Sequence, residues 1–191
     1  DSLNEAIMRL VHYIIACAPI GVAALMAGLV VDFNGNGKVF AALGVYSINV
    51  VIALLFLLLF FYPTLARFFG GIRLMRFIRN VYPLQLFAFT TSSSAATLPF
   101  TYTTAQEKLG ISREVTSFVL PIGTTINMDG TAIYQGVCAI FIAACFGIDL
   151  TLAEMATIVV TATLASIGTA GVPGAGMVML AMVLTSVGLP V

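Results

Sequence analysis

The chain has 191 residues, no net charge and only 8% charged side chains against 60% hydrophobic ones, with a mean hydropathy of +1.09. A soluble domain carries roughly a quarter charged residues, so lipid must replace water as the main solvent here, and eight basic residues balanced by eight acidic ones give no footprint for nucleic acid. Cys17, Cys138 and Cys145 all lie in apolar stretches and read as small buried hydrophobes; without a CxxC spacing, and with His12 as the single histidine, no disulfide framework or metal cluster is indicated.

No signal-peptide pattern precedes the first apolar stretch, and a start at Asp1 with an end at Val191 reads as a segment of a longer protein. Two stretches, about Ile7–Val31 and about Phe40–Leu65, each exceed the ~20 residues that cross a hydrocarbon core. The Gly- and Asn-rich turn Asp32–Lys38 joins them, which predicts antiparallel neighbours. Arg67, Arg73, Arg76 and Arg79 follow with no acidic residue among them. Basic residues concentrate on the cytoplasmic side, which puts this end of the second helix inside and the turn outside. An amphipathic interfacial helix without topological meaning is the other reading.

Beyond Asn80 the apolar runs are interrupted. Thr90-Thr91-Ser92-Ser93-Ser94-Ala95-Ala96-Thr97-Leu98-Pro99 predicts a helix ending near Thr91, a turn over the serines and a second helix returning from Pro99 in its first turn. A polar loop holding Gln106-Glu107-Lys108, Arg113 and Glu114 closes this hairpin on the cytoplasmic side. From Val115 to Gly147 a long apolar segment is broken over Pro121–Thr131, and Thr151 is placed to cap the helix after it. A second hairpin is expected around Ser166–Gly176, where four glycines and Pro173 fall in nine residues from Gly168. Such breaks are tolerated at membrane depth only when buried in protein or facing a cavity, so both hairpins are expected to be re-entrant. Hairpin, broken helix, hairpin is the start of an inverted repeat, which predicts a further polar helix beyond Val191.

Asp129 is the one charged residue between Glu114 and Asp149, near mid-span, where a charge costs at least about 2.5–3.5 kcal/mol on insertion scales. It is read as a cation ligand with Asn127 supplying an amide oxygen beside it, a carboxylate bonded to backbone for structure alone being the alternative. The Ser92–Ser94 hydroxyls and N–H groups suit either a carboxylate ligand or a polar helix cap. The glycine stretch after Ser166 suits either a gate or close helix packing. A serine nucleophile has no base near it in sequence, which argues against an enzyme; a channel lined by the hairpins is a further class.

The runs Ser92-Ser93-Ser94-Ala95-Ala96-Thr97-Leu98-Pro99, Asn127-Met128-Asp129-Gly130-Thr131 and Ser166-Ile167-Gly168-Thr169-Ala170-Gly171-Val172-Pro173-Gly174-Ala175-Gly176 resemble the dicarboxylate/amino acid:cation symporters, the family of glutamate and aspartate transporters. The resemblance implies an all-α membrane protein with an elevator-type, inverted-repeat core, working as a homotrimer in the plasma (inner) membrane. Residues 1–37 would be the last scaffold helix and outer loop. Residues 38–191 would be the transport domain, with a spanning helix 38–66, an inner hairpin 73–110, a broken helix 113–148 and an outer gating hairpin 151–189. The implied activity is sodium-coupled symport of an acidic amino acid. Proton-coupled dicarboxylate or sodium-coupled neutral amino acid symport is the alternative.

By the same resemblance Ser93, Ser94, Thr131, Val172, Pro173 and Gly176 are expected at the substrate. Gly123, Asn127 and Asp129 are expected at one Na+ site, and Thr125, Ser166, Ile167 and Thr169 at another. The Met128 spelling resembles the sodium-coupled members. Departures are Ala95 where a further serine is common, Ser92 where archaeal members carry Arg, and Gln135 where potassium-exchanging animal members carry Glu. The last departure leads to the hypothesis that this chain does not counter-transport potassium, which a requirement for internal potassium would refute.

Overall fold

The computed structural model describes residues 13, 16–17, 19–28, 30–31 and 37–190. Two compact units, Asp1–Val45 and Tyr46–Val191, divide the chain. Part of the expected Ile7–Val31 span (7–12, 14–15, 18 and 29) and the turn at 32–36 lie outside the described residues; within them Pro19–Gly28 is helical (α1). All regular structure among the described residues is helical.

A long apolar helix follows, built from α2 (Gly37–Phe56), a single wide turn of π-helix (Leu57–Phe61) and α3 (Tyr62–Gly70). The π-turn precedes Pro63, whose ring would otherwise press on the carbonyl four residues back. The helix runs past the expected end at Leu65 to Gly71, whose φ of 63° suits glycine and whose N–H closes onto Ala66 and Arg67 carbonyls. Phe40–Gly70 spans 31 residues, about 46 Å at 1.5 Å per residue, enough to cross a hydrocarbon core of about 30 Å.

Helices α4 (Leu74–Thr91) and α5 (Ser94–Thr103) form the first hairpin around only two non-helical residues. Contacts run its whole length: Asn80 Nδ2 donates to the Lys108 carbonyl at 2.9 Å at the base, Phe87 and Phe100 rings pack at 5.3 Å midway, and Thr91 and Thr97 hydroxyls meet at 2.9 Å near the tip. The return helix therefore starts at Ser94, not at Pro99 as the sequence suggests. Ser93 caps it by accepting the Ala96 N–H at 3.2 Å, so Pro99 falls inside the helix. Thr101 and Thr103 hydroxyls donate to the Thr97 and Pro99 carbonyls there. A second π-turn, Thr104–Lys108, ends the hairpin.

Helix α6 (Arg113–Ile126) and helix α7 (Asp129–Cys145) lie in one 33-residue apolar stretch broken at Asn127–Met128. The second hairpin is α8 (Leu152–Ile167) and α9 (Ala175–Ser186). Thr151 caps α8 as the sequence suggests, and in full: its hydroxyl accepts the Glu154 N–H, while its own N–H and hydroxyl each donate to Glu154 Oε2 at 2.7 Å.

The core is small and lies where α7, α8 and α9 meet, around Ala139, Ala143, Ile158, Ala162, Ala165, Val183 and Leu184. Alanines at these positions let backbones approach closely, the packing style of helices in lipid. The outer faces stay apolar and uncovered; Phe69, Phe89 and Val178 are 87%, 84% and 76% exposed. Such surface needs lipid or further protein against it. For the same reason the cysteines depart from expectation: Cys17 and Cys145 are exposed and Cys138 half-buried, because apolar side chains need no protein interior where lipid is the solvent.

Two outcomes follow. Ala139→Leu, at a fully buried position, should cost about 1–3 kcal/mol by overpacking, read as a lower thermal midpoint in detergent. The Thr151 hydroxyl and then its N–H hold the Glu154 carboxyl below the usual carboxylate range. The cap is therefore intact at neutral pH and lost as pH falls through that depressed value. Amide exchange in the first turn of α8, corrected for its intrinsic pH dependence, should accelerate there in the wild type and show no such step in Glu154→Gln.

Candidate functional site

The two tips meet through one carbonyl. Gly171 O, in the loop between α8 and α9, accepts the Ala95 N–H at 3.1 Å and the Ser93 hydroxyl at 2.8 Å. A Cβ on Gly171 would stand 3.3 Å from Ala95 N and Ser94 Cβ and 3.4 Å from Thr124 Cγ2, so the first tip, the second tip and the end of α6 converge here. Ser93 is buried with its hydroxyl committed both to the cap and to Gly171, whereas Ser94 is exposed. Beside them a cavity of about 610 Å³ opens between α4, α5 and α6, apolar along Leu84 and Leu120 and polar toward Ser93, Ser94, Thr124 and Asn127. Its size falls in the usual range for small-ligand sites.

The broken helix supplies the charge. Asp129 opens α7, half-buried, and accepts a hydrogen bond on Oδ2 from the Tyr62 hydroxyl. The Asn127 amide stands over the same carboxylate; with its NH2 group turned inward it donates to Oδ2 at 2.8 Å and Oδ1 at 3.1 Å. Turned the other way, its oxygen joins the two carboxylate oxygens. Asp129 also sits in the first turn of α7, where the positive end of the helix dipole favours an anion.

Thr131, in that same turn, faces the second hairpin: a Cβ on Gly176 would stand 3.0 Å from Thr131 Cγ2. Gln135, fully buried one turn on, donates Nε2 to the Gly176 carbonyl at 3.0 Å, while its Oε1 has no partner among the described residues. Gly123 lines the cavity with Asn127. Thr125 is exposed and donates to the Ile122 carbonyl at 3.1 Å. Ser166 and Thr169, at the end of α8, are buried and donate to the Thr163 and Ala165 carbonyls, each at 2.8 Å. A hydroxyl that donates keeps its oxygen lone pairs for a cation. Ile167 and Val172 are exposed, and Pro173 lies half-buried in the loop beside Val172.

Of the predicted residues, Ser93 and Ser94 stand against Gly171, Thr131 against Gly176, and Asp129 with Asn127 at the break; among the described residues no hydrogen bond joins Thr125 to Ser166, Ile167 or Thr169. Sequence reading missed Tyr62, the direct partner of Asp129. Its signal was a Tyr-Pro pair in an otherwise apolar span, which marks a disturbed turn but not its target.

Apolar helices with polar breaks brought together define a helical membrane protein whose polar site is made from interrupted backbone. The model of the sodium:dicarboxylate symporter family matches residues 1–191, and the chain belongs to that family. It is 45% identical over 190 residues to excitatory amino acid transporter 1 of Homo sapiens and 47% identical over 192 residues to excitatory amino acid transporter 1 of Ambystoma tigrinum, covering 100% of this chain and 35% of each relative. It is also 45% identical over 197 residues to excitatory amino acid transporter 4 of Rattus norvegicus, covering 100% of this chain and 34% of the relative. The chain spans about a third of the length of these relatives.

The Gly176–Thr131 approach gives a local test. Gly176→Ala should destabilise by about 1 kcal/mol, because the new methyl meets Thr131. Adding Thr131→Ser, which removes Cγ2, should recover most of the thermal midpoint; no recovery would mean the two residues do not press on each other.

Proposed function

We propose that this chain is the substrate- and ion-binding part of a sodium-coupled symporter for an acidic amino acid. The observation that carries the reading is the broken helix, which sets Asp129 beside Asn127 and Tyr62 in an otherwise uncharged span, next to two hairpin tips. Family membership and the names of the relatives support the solute class.

Sodium is the cargo that fits an oxygen-only donor set. With its amide oxygen turned inward, Asn127 and the Asp129 carboxylate form a hard-ligand cluster; with NH2 turned inward, the amide neutralises the same carboxylate when no cation is bound. Gly123 belongs to that first site. Ser166, Ile167 and Thr169 at the end of α8, with Thr125, form a second, where hydroxyl oxygens and helix-end carbonyls point their negative ends at a cation.

The substrate carboxylate competes for what now holds the tips together. Entry breaks the Gly171 contacts and offers the Ala95 N–H and the Ser93 and Ser94 hydroxyls to an anion at the start of α5. Thr131, Val172, Pro173 and Gly176 then close over the rest of the molecule. The arms of both hairpins, 18 residues in α4, 15 in α5 with its π-turn, 16 in α8 and 12 in α9, are each shorter than the ~20 residues of a full span. This supports re-entrant hairpins; the family resemblance extends the proposal to a multi-pass plasma-membrane protein, with residues 38–191 as transport domain moving as an elevator within a homotrimer and 1–37 as scaffold. Gln135 is uncharged and fixed to Gly176, which supports transport without potassium exchange.

The test is uptake of labelled L-aspartate into proteoliposomes by the full-length protein, with and without an inward sodium gradient. Saturable, sodium-driven uptake is expected, falling by roughly tenfold or more in Asp129→Asn, which removes the charged ligand. Uptake driven equally by a proton gradient, or currents that do not saturate with substrate, would overturn the reading.

A further inference from the structure

Away from the tips, at the base of the first hairpin, the chain builds a second polar cavity of about 370 Å³. Gly71, Arg73, Arg76, Asn80 and Lys108 line it, and no acidic residue does. Arg76 and Asn80, four residues apart, share one stripe of α4, and Arg73 stands just before its first turn. Asn80 fixes the opposite wall, since its amide holds the Lys108 carbonyl at 2.9 Å. No ion pair engages Arg73, Arg76 or Lys108 among the described residues. The first turn of α4 adds no acidic residue and no side-chain cap. Three cations thus surround one pocket without a carboxylate to answer them.

Depth says what could. The pocket begins at Gly71, directly after the 31-residue apolar helix Phe40–Gly70. At about 46 Å this helix reaches past the ~30 Å hydrocarbon core into the headgroup layer. Exposed Phe68 and Phe69 (78% and 87%) mark its last apolar turn, and Arg67 stands beside them. Planar guanidinium forks match phosphate oxygens two at a time, and lysine adds a point charge.

We propose that this pocket binds the phosphate headgroup of an anionic phospholipid, anchoring the base of the first hairpin to one leaflet. The inference rests on Phe40–Gly70 crossing the bilayer, and it is independent of what is transported. The probe is the full-length protein in nanodiscs of phosphatidylcholine with a minor share of phosphatidylglycerol, and the readout is the lipid retained in native mass spectrometry. Stable insertion into the discs tests the membrane reading separately.

Wild type should retain phosphatidylglycerol in preference to phosphatidylcholine. The combined Arg73→Gln, Arg76→Gln and Lys108→Gln variant should lower that preference about tenfold or more, whereas Arg73→Lys with Arg76→Lys keeps charge and most of the retention. Arg79→Gln, outside the pocket lining, should behave as wild type. Equal retention by the triple glutamine variant, or an equal loss in Arg79→Gln, would overturn the site. Inorganic phosphate protecting the protein from heat in neutral discs as well as phosphatidylglycerol does would overturn the lipid assignment.

Discussion

A helix broken inside an apolar medium releases N–H and C=O groups that lipid cannot satisfy, at several kcal/mol for each group left alone. In this chain the breaks satisfy one another. The Gly171 carbonyl, freed by the loop of the second hairpin, takes the Ala95 N–H and Ser93 hydroxyl freed by the first. Glycine suits the position, since a Cβ there would stand 3.3 Å from the donating Ala95 N and press on the joint. On the proposed reading, an anion reaching the start of α5 would displace this joint, because it is a better acceptor than a carbonyl.

The charge at the second break is managed in the same way. Asp129 is tolerable at depth because Tyr62 donates to it, Asn127 stands over it, and the first turn of α7 points its dipole at it. The first two can be rearranged without refolding: a hydroxyl rotates, an amide turns over. On the proposed reading this suits an ion site, which needs its carboxylate stabilised without a cation, yet not so firmly that a cation gains nothing.

Much of this was legible in the residues, for physical reasons. Asp129 and Asn127 stood out because nothing else for a turn or more on either side is charged, and the glycine run around Gly171 because no helix continues through it. The Thr151 cap was visible because its partner lies three residues away. What escaped depends on distance in sequence or on competition between local signals. Tyr62 and Asp129 are 67 residues apart, and no pattern in either segment names the other. The return helix was expected from Pro99 because proline is a strong local signal, but the cap from Ser93 is stronger, since it begins the helix and leaves the proline to be absorbed inside it.

The wide turn at Leu57–Phe61 has an effect on phase. A π-turn stretches one winding by a residue, so the faces of α2 and α3 are offset by about a hundred degrees from where an unbroken α-helix would put them. The helix is thereby two rulers joined out of step: the upper half can turn one side to its surroundings while the lower half aims Tyr62 at Asp129. Losing one residue within the turn would bring the rulers back into step, leaving the span nearly as long and as apolar as before and the tyrosine pointing elsewhere.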